Sequence, residues 1–535
     1  MGRGLILSYN DIPRDFNVAR HFLDANIEAG RADDVALVTD VPGAATTSTT
    51  YGELVALSNQ IGNVLRNEGV RAEERVVLAL TDGPLFVASW FAVLKLGAVV
   101  AEVYTFLQPK DYAYYLRYAR AGVVIADATT TPKIRQVRGD CPDLRTVLVA
   151  DELELAPGES SLGDALADAS DELTHAATTK DTIGLWKFTT GSTGAPKAAV
   201  HCHHDPLVSH ELYARGVLDL AQNDVVLPIP KLFFGYARDL TALFPFGVGA
   251  RGVVFPDRST PERIFELIER HRPTVLVQVP TMMAAMVAHE RAQSADLSSL
   301  RLVVSSGETL PEPLHRRWLE LFDVDVVEGV GSSELYHIYL SNRPGQSRVG
   351  SAGTAVPGYE LRLVDATGSE VTVGEPGELE VRGESAALFY WEEHERSKQT
   401  FAGDLVRTGD LFAQDADGFL FYRGRADSLL KVGGIWVAPL EIEQCLQEHP
   451  GVAECAVIGR AREGLVVPVA AIVREPAGAE LTADDVIEHV CAHLSPHKAP
   501  RLVEFVSELP KTASGKVDRA ALEAHAAAAT AEATP

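Results

Sequence analysis

The sequence predicts an α/β protein: a large N-terminal part of parallel or mixed sheets packed with helices, a β-rich subdomain, and a small C-terminal α+β part. Three observations carry this. Short apolar runs alternate with helix-period segments between Arg75 and Ser305; hairpin-like alternation takes over after about Gly350; and beyond Asp427 a helix-like stretch leads into a strand-like one. These changes of texture divide the chain into 1–426, with the β-rich piece at about 350–426, and 427–535. The 535 residues are several times the roughly 150 of one domain, enough to bury a sizeable core.

From Thr50, TYGELVALSNQIGNVLRNEGV places Leu54, Leu57, Ile61 and Leu65 at spacings of three and four, one face of an amphipathic helix. Arg75 to Leu80 reads as a strand, Leu85 to Leu96 as a helix and Gly97 to Val103 as the next strand. Further strands are expected at Gly122 to Ala126, Thr146 to Ala150, Gly252 to Phe255, Val275 to Val279 and Leu302 to Ser305. GYELRLVDATGSEVTVGEPGELEVRG alternates around Gly, Pro and Asp turns, as antiparallel hairpins do. WVAPLEIEQCLQEHPGVAECAVIG reads as a helix and then a strand, and the closing EAHAAAATAEATP has nothing to bury.

Composition narrows the function classes. With 46% hydrophobic, 23% charged and 7% aromatic residues, collagen-like, disordered and disulfide-scaffold classes are excluded. Lys+Arg 48 against Asp+Glu 74 gives −26, a field that repels a phosphate backbone, so nucleic acid is not the expected partner. An anionic small substrate is still admissible, because a distant surface charge is screened beyond about 10 Å. The five scattered cysteines contain no C-x-x-C and specify neither a disulfide framework nor a zinc knuckle. The most apolar stretch, Leu85 to Val103, is broken by Lys95, Gly97 and Glu102, and the opening has no signal-like apolar core. A cytoplasmic protein without a membrane span is expected.

The segment TTGSTGAPKAA carries the strongest chemistry. Thr189, Thr190, Ser192 and Thr193 supply hydroxyls, Gly191 and Gly194 let backbone N–H groups approach an anion, and Lys197 adds a mobile positive charge. A P-loop requires Gly-Lys-Ser/Thr, whereas Lys197 here lies between Pro196 and Ala198. The whole string resembles the signature of the adenylate-forming superfamily: acyl- and aryl-CoA synthetases, adenylation domains of peptide synthetases, and firefly luciferase. Other pieces of that pattern follow in order. GVGSSEL, Gly329 to Leu335, resembles the second signature, which implies Glu334 as the magnesium ligand and places Glu328, Gly329 and Ser333 at the nucleotide, with Gly307 and Glu308 of the SGE string. RTGDL resembles the motif whose aspartate, here Asp410, takes both ribose hydroxyls. YRGRADSLLKVGGIWVAPLEIE resembles the hinge region, with Arg425 near ribose and phosphate, Asp427 as pivot, and Lys431, Gly433 and Gly434 towards coenzyme A. PKTASGKVDR resembles the C-terminal signature whose second lysine, Lys516, enters the active site during adenylate formation. The resemblance implies the adenylate-forming fold with a mobile C-terminal domain.

YNDIPRDFNVARHFLD, KLFFGYARDLT and GSSELYHIYLSN look like the benzoate-CoA ligase branch. Carried over, the aryl pocket is Phe234, Gly235, Tyr236, Ser306, Gly331, His337 and Ile338. The benzoate pattern has alanine at the positions of Gly235 and Ser306, so both room and polarity increase here. A buried serine hydroxyl without a partner costs roughly 1–3 kcal/mol, which points to a hydroxyl or amino group on the ring, salicylate first; a bond from Ser306 to backbone or water is the competing reading. His201, Cys202, His203, His204 and His210 cluster in sequence, but no second ligand pair with zinc-finger spacing follows them.

The expected reaction therefore uses ATP with magnesium, an aromatic carboxylate and coenzyme A. An aryl-adenylate forms with release of pyrophosphate, and thiol attack yields aryl-CoA and AMP, with Lys197, Glu334 and Lys516 as the catalytic set. Loading a carrier protein is the rival enzymatic reading, and an aryl-ligand sensor the non-enzymatic one. The chain is expected to act as a monomer or homodimer.

Overall fold

The helix read from Thr50 forms over Tyr51–Asn67 and is closed at its start by a reciprocal pair: Thr50 Oγ1 accepts the Glu53 N–H (3.2 Å) and the Glu53 carboxylate accepts the Thr50 N–H (2.8 Å). Residues 8–189, 195–432, 435–462, 465–475, 481–511, 517–519 and 521–523 are described by the computed structural model. Thr190, Gly191, Ser192, Thr193, Gly194, Gly433, Gly434 and Lys516 lie outside the described residues.

The predicted strand–helix alternation builds an eight-stranded sheet. Its order is Phe389–Tyr390, Lys197–Cys202, Ile183–Thr189, Val99–Glu102, Arg75–Ala79, Val123–Ala126, Thr146–Val149, Glu159–Ser161. From Ile183–Thr189 onward all pairs are parallel; Lys197–Cys202 folds back antiparallel, and Phe389–Tyr390 adds to it antiparallel. The inner strands are buried on both faces and accordingly read as unbroken apolar runs. The crossover helix Pro84–Lys95 is apolar all round. Lys95, which interrupts that apolar run, is fully buried with its ammonium 2.7 Å from Asp24 and 2.8 Å from Asn59.

A nine-stranded sheet runs Thr354–Ala355, Ile338–Ser341, Val326–Gly331, Leu302–Ser305, Val275–Gln278, Val225–Pro228, Arg251–Val254, Val35–Thr39, Thr47–Thr50. Its parallel centre ends in Ser305 and Glu328 on adjacent, registered strands, so the residues that follow emerge side by side at the carboxyl ends, where open α/β sheets bind ligands. Three helical segments widen to π geometry, Arg20–Asp24, His210–Arg215 and Asp239–Leu243, a feature frequent at functional sites.

The chain divides into two compact units, 1–360 with 381–406, and 361–380 with 407–535. The sequence reading made one cut at Asp427; here the β-rich segment is shared between the units. In the second unit Leu420–Arg425 pairs antiparallel with the strand Leu405–Gln414, setting Arg425 opposite Asp410. Val452–Arg462, Leu465–Arg474 and Leu502–Phe505 form a three-stranded sheet whose core includes side chains from the helices Pro439–Gln447 and Ala483–His493. Among the described residues no helix is long and apolar enough to cross a membrane.

Candidate active site

The hairpin of Ile183–Thr189 and Lys197–Cys202 pairs Thr189 with Lys197 across the neck of the glycine- and hydroxyl-rich loop. Lys197 Nζ lies 3.6 Å from the centroid of the Tyr390 ring, and the Tyr390 hydroxyl donates to Glu334 Oε1 at 2.6 Å. A continuous link thus runs from the loop lysine to the carboxylate. Farther along the same strand, His201 joins the Asp205 carboxylate (Nδ1, 2.6 Å) to the Ser333 carbonyl (Nε2, 2.6 Å), fixing the backbone beside Glu334. Burial works against the Asp205 charge, yet His204 and His201 hold its carboxyl at about 2; the same carboxylate lifts His204 to about 9 against the effect of burial. His203 instead accepts the Val18 N–H (3.2 Å) and His210 meets Glu211 (3.0 Å), so the histidine-rich string serves several separate structural bonds.

Between Glu334 and His337 the chain makes a strained γ-turn: Tyr336 has φ 69° and ψ −55°, and the His337 N–H donates to the Leu335 carbonyl at 2.8 Å. A buried ionic cluster holds it. Lys187, on the strand that leads into the glycine-rich loop, donates to the Tyr336 carbonyl (2.5 Å) and to Asp239 (2.7 Å). The Tyr336 hydroxyl also reaches Asp239 (3.1 Å), as does Arg238 (2.7 Å), whose guanidinium pairs in turn with Glu102. Burial lowers the Lys187 pKa, opposed by Asp239; burial raises Asp239, but Arg238 and Lys187 outweigh it and its carboxyl lies below the usual range. Because ionic burial is costly and hydrophobic replacements are often at least as stable, stability alone does not account for this cluster.

The residues expected around an aryl ring come together on this support. Tyr236 donates to the carbonyls of Val304 (2.9 Å) and Gln278 (3.3 Å), and Ser306 is buried with its N–H on Gln278 O (3.4 Å). The Tyr236 ring lies 6.1 Å from that of Phe234 and 5.9 Å from that of His337. A Cβ at Gly331 would meet the His337 carbonyl at 2.6 Å and Ile338 at 3.0 Å, so only glycine fits there. Burial pushes His337 down to about 3, leaving it neutral near pH 7. A Cβ at 235 would stand 3.0 Å from Lys187 Nζ, so the room left by the missing methyl lies on the side of the lysine.

In the second unit Arg425 donates to the Thr408 carbonyl (2.9 Å) and Asp410 (3.3 Å) and reaches Asp427 (3.4 Å). Gly409, at φ 72°, sits where a Cβ would be 2.9 Å from that guanidinium. The flanks of the C-terminal signature are tied by a Lys511–Val517 bridge and by the Asp518 N–H on Pro510 O (2.8 Å), while Arg519 anchors to Glu443 (2.9 Å). Lys431 lies on the short strand Leu430–Val432.

The AMP-binding enzyme model matches residues 24–391, and the AMP-binding enzyme C-terminal domain matches 441–516. The chain belongs to the AMP-binding enzyme family. It is 39% identical over 513 residues to the benzoate–CoA ligase of Thauera aromatica, covering 95% of this chain and 96% of that protein. Identity to the 4-hydroxybenzoate–CoA/benzoate–CoA ligase of Rhodopseudomonas palustris is 38% over 512 residues, covering 95% and 93%. The crystal structure of the anthranilate CoA ligase AuaEII with anthranoyl-AMP superposes with a TM-score of 0.91 at 38% identity, over 98% of this chain and 100% of that one. This AMP-binding enzyme accordingly stands in the benzoate-CoA ligase-like branch of the adenylate-forming superfamily and is an AMP-forming acid–thiol ligase.

Sequence reasoning about this AMP-binding enzyme missed Tyr390, Lys187, Asp239 and Tyr336. Tyr390→Phe keeps the ring under Lys197 but removes the bond to Glu334, and should lower acid-dependent ATP–pyrophosphate exchange about 10-fold with an unchanged melting temperature. Tyr390→Ala should lose more; equal losses would deny the ring a role. At two positions expected beside the nucleotide, Glu308 accepts from Thr281 Oγ1 (2.7 Å), and Glu328 accepts the Leu310 N–H (3.2 Å). Burial pushes Glu328 up to about 8 from 4.5. Between those values the unfolded chain ionises this group while the folded one keeps its proton, so its contribution to stability falls as pH rises through the window and levels off outside it. Glu328→Gln should flatten that part of the melting temperature's pH profile; an unaltered slope would place the titration elsewhere.

Proposed function

We propose that this enzyme converts a hydroxy- or amino-substituted benzoate, ATP and coenzyme A into the aryl-CoA thioester, AMP and pyrophosphate. The observation that carries the ring substituent is Lys187. An ammonium has three N–H donors; Asp239 and the Tyr336 carbonyl take two, and the group faces Gly235 at the aryl pocket. The ammonium also lies 3.6 Å from the centroid of the Tyr336 ring, and a ring hydroxyl or amino group at Gly235 would compete with that face for the remaining N–H, with the Ser306 hydroxyl as a further polar neighbour. Such substituents agree with the relatives' own names, which include 4-hydroxybenzoate and anthranilate. Salicylate is the first compound to try.

In the first step a carboxylate oxygen attacks the α-phosphorus and displaces pyrophosphate. Thr189 to Gly194 and Lys197 cradle the phosphates, Gly307, Glu308, Glu328, Gly329 and Ser333 surround the nucleotide, and Asp410 with Arg425 holds ribose. Glu334 fits a magnesium ion, because Tyr390 engages one of its carboxylate oxygens and leaves the other for a hard cation shared with phosphate. When bound, magnesium neutralises charge on the departing pyrophosphate. Lys516 bridges carboxylate and nucleotide. In the second step the coenzyme A sulfur attacks the adenylate carbonyl, AMP leaves with the bonding electrons and the thiol proton passes to solvent. Asp427 is the proposed pivot between the steps, with Lys431, Gly433 and Gly434 serving the pantetheine arm.

Incubation with ATP, a hydroxybenzoate and either coenzyme A or a phosphopantetheinylated carrier protein tests the acceptor. Aryl-CoA is the expected product; acylation of the carrier alone would overturn this reading.

A further inference from the structure

The second unit contains a side-chain cluster that the ligase reaction does not use. Cys445, on the helix Pro439–Gln447, and His489 and His493, on the helix Ala483–His493, each offer a ligand atom within 4.8 Å of the other two. His489 and His493 are four residues apart and so share one face of their helix, their rings 4.4 Å apart. His449, four residues beyond Cys445, brings its ring to 5.0 Å from that of His489. Sequence spacing and packing therefore converge on Cys-x3-His facing His-x3-His.

The outer bonds of these histidines point to a ligand. His489 Nε2 donates to the Cys445 carbonyl (2.9 Å), and His493 Nδ1 donates to the His489 carbonyl (2.8 Å). In a neutral imidazole that leaves a lone pair on His489 Nδ1 and on His493 Nε2. A backbone carbonyl bonded to the other ring nitrogen is a partner that metal-binding histidines characteristically have. His449 Nδ1 accepts the Gly451 N–H (3.0 Å), so its neutral ring carries the proton on Nε2 and keeps no second lone pair for a metal. Cys445 is buried, His489 half-buried and His493 exposed, so an ion has an open approach.

We propose that Cys445, His489 and His493 form a binding site for a thiophilic divalent transition metal of the zinc type, with solvent as the fourth ligand. One thiolate and two imidazoles suit a borderline-soft tetrahedral ion, whereas magnesium takes oxygen ligands. Metal–ligand distances of about 2.0–2.3 Å require the three side chains to close on the ion. Binding displaces the thiol proton to solvent and links the two helices of the C-terminal domain.

Cobalt(II) is the direct probe. Full-length enzyme, stripped with chelator and titrated with Co²⁺, should bind one ion with the thiolate-to-cobalt charge-transfer band and the intense visible bands of a four-coordinate site. Cys445→Ser should abolish the charge-transfer band, and the exposed His493→Ala, which leaves the fold untouched, should weaken binding at least 10-fold. Zn²⁺ should displace Co²⁺ and raise the melting temperature of the parent enzyme but not of either variant. Absence of the charge-transfer band in the parent, or its persistence in Cys445→Ser, would overturn the proposal.

Discussion

Lys187→Met should lower the unfolding free energy by about 3–5 kcal/mol, since it leaves Asp239 as a buried charge stripped of one cation. Lys187 bonds both Asp239 and the Tyr336 carbonyl, so the γ-turn between Glu334 and His337 loses its support as well. Denaturant unfolding measures the loss. Adding Asp239→Asn should recover most of it, because Arg238 keeps its pair with Glu102. The double variant then separates fold from specificity. Its kcat/KM ratio for a hydroxybenzoate over benzoate should drop about 10- to 100-fold, the scale of one charge-assisted hydrogen bond. An equal loss on both acids would reduce Lys187 to a support for the turn.

The second large effect is expected at Lys516. Lys516→Ala should reduce overall aryl-CoA synthesis about 100- to 1,000-fold, the range found when one preorganised electrostatic donor is removed, while thioester formation from supplied aryl-adenylate and coenzyme A stays within a few-fold of the parent. Equal loss in the two assays would contradict a lysine that serves only adenylate formation.

Much of the scaffold was legible because its signals are local. The capping box at Thr50 and Glu53, the buried runs at Arg75–Ala79 and Val123–Ala126, and the all-apolar crossover Pro84–Lys95 each declare themselves within a few residues. The residues expected at the phosphates, Glu334 and those expected around an aryl ring stand out in the sequence as strings. What the strings could not convey is pairing across the chain. Lys187 looks like a solvated lysine within GLWKF until Asp239, 52 residues later, neutralises it in the interior. Tyr390 is an ordinary aromatic until the sheet edge sets it against Glu334, 56 residues earlier. At Gly235 the sequence shows added room but not its neighbour; Lys187 lies in that direction. The His-x3-His spacing is visible on the helix Ala483–His493, but only the packing of Pro439–Gln447 against that helix brings Cys445 to it.

The most direct test of the central claim is a coenzyme A-dependent AMP-release assay over benzoate, the three hydroxybenzoates, the aminobenzoates and a medium-chain fatty acid. The account predicts the highest kcat/KM on a hydroxy- or aminobenzoate, with the corresponding aryl-CoA as product. Preference for unsubstituted benzoate would contradict the role given to Lys187 and Ser306, and preference for the fatty acid would contradict the aryl pocket itself.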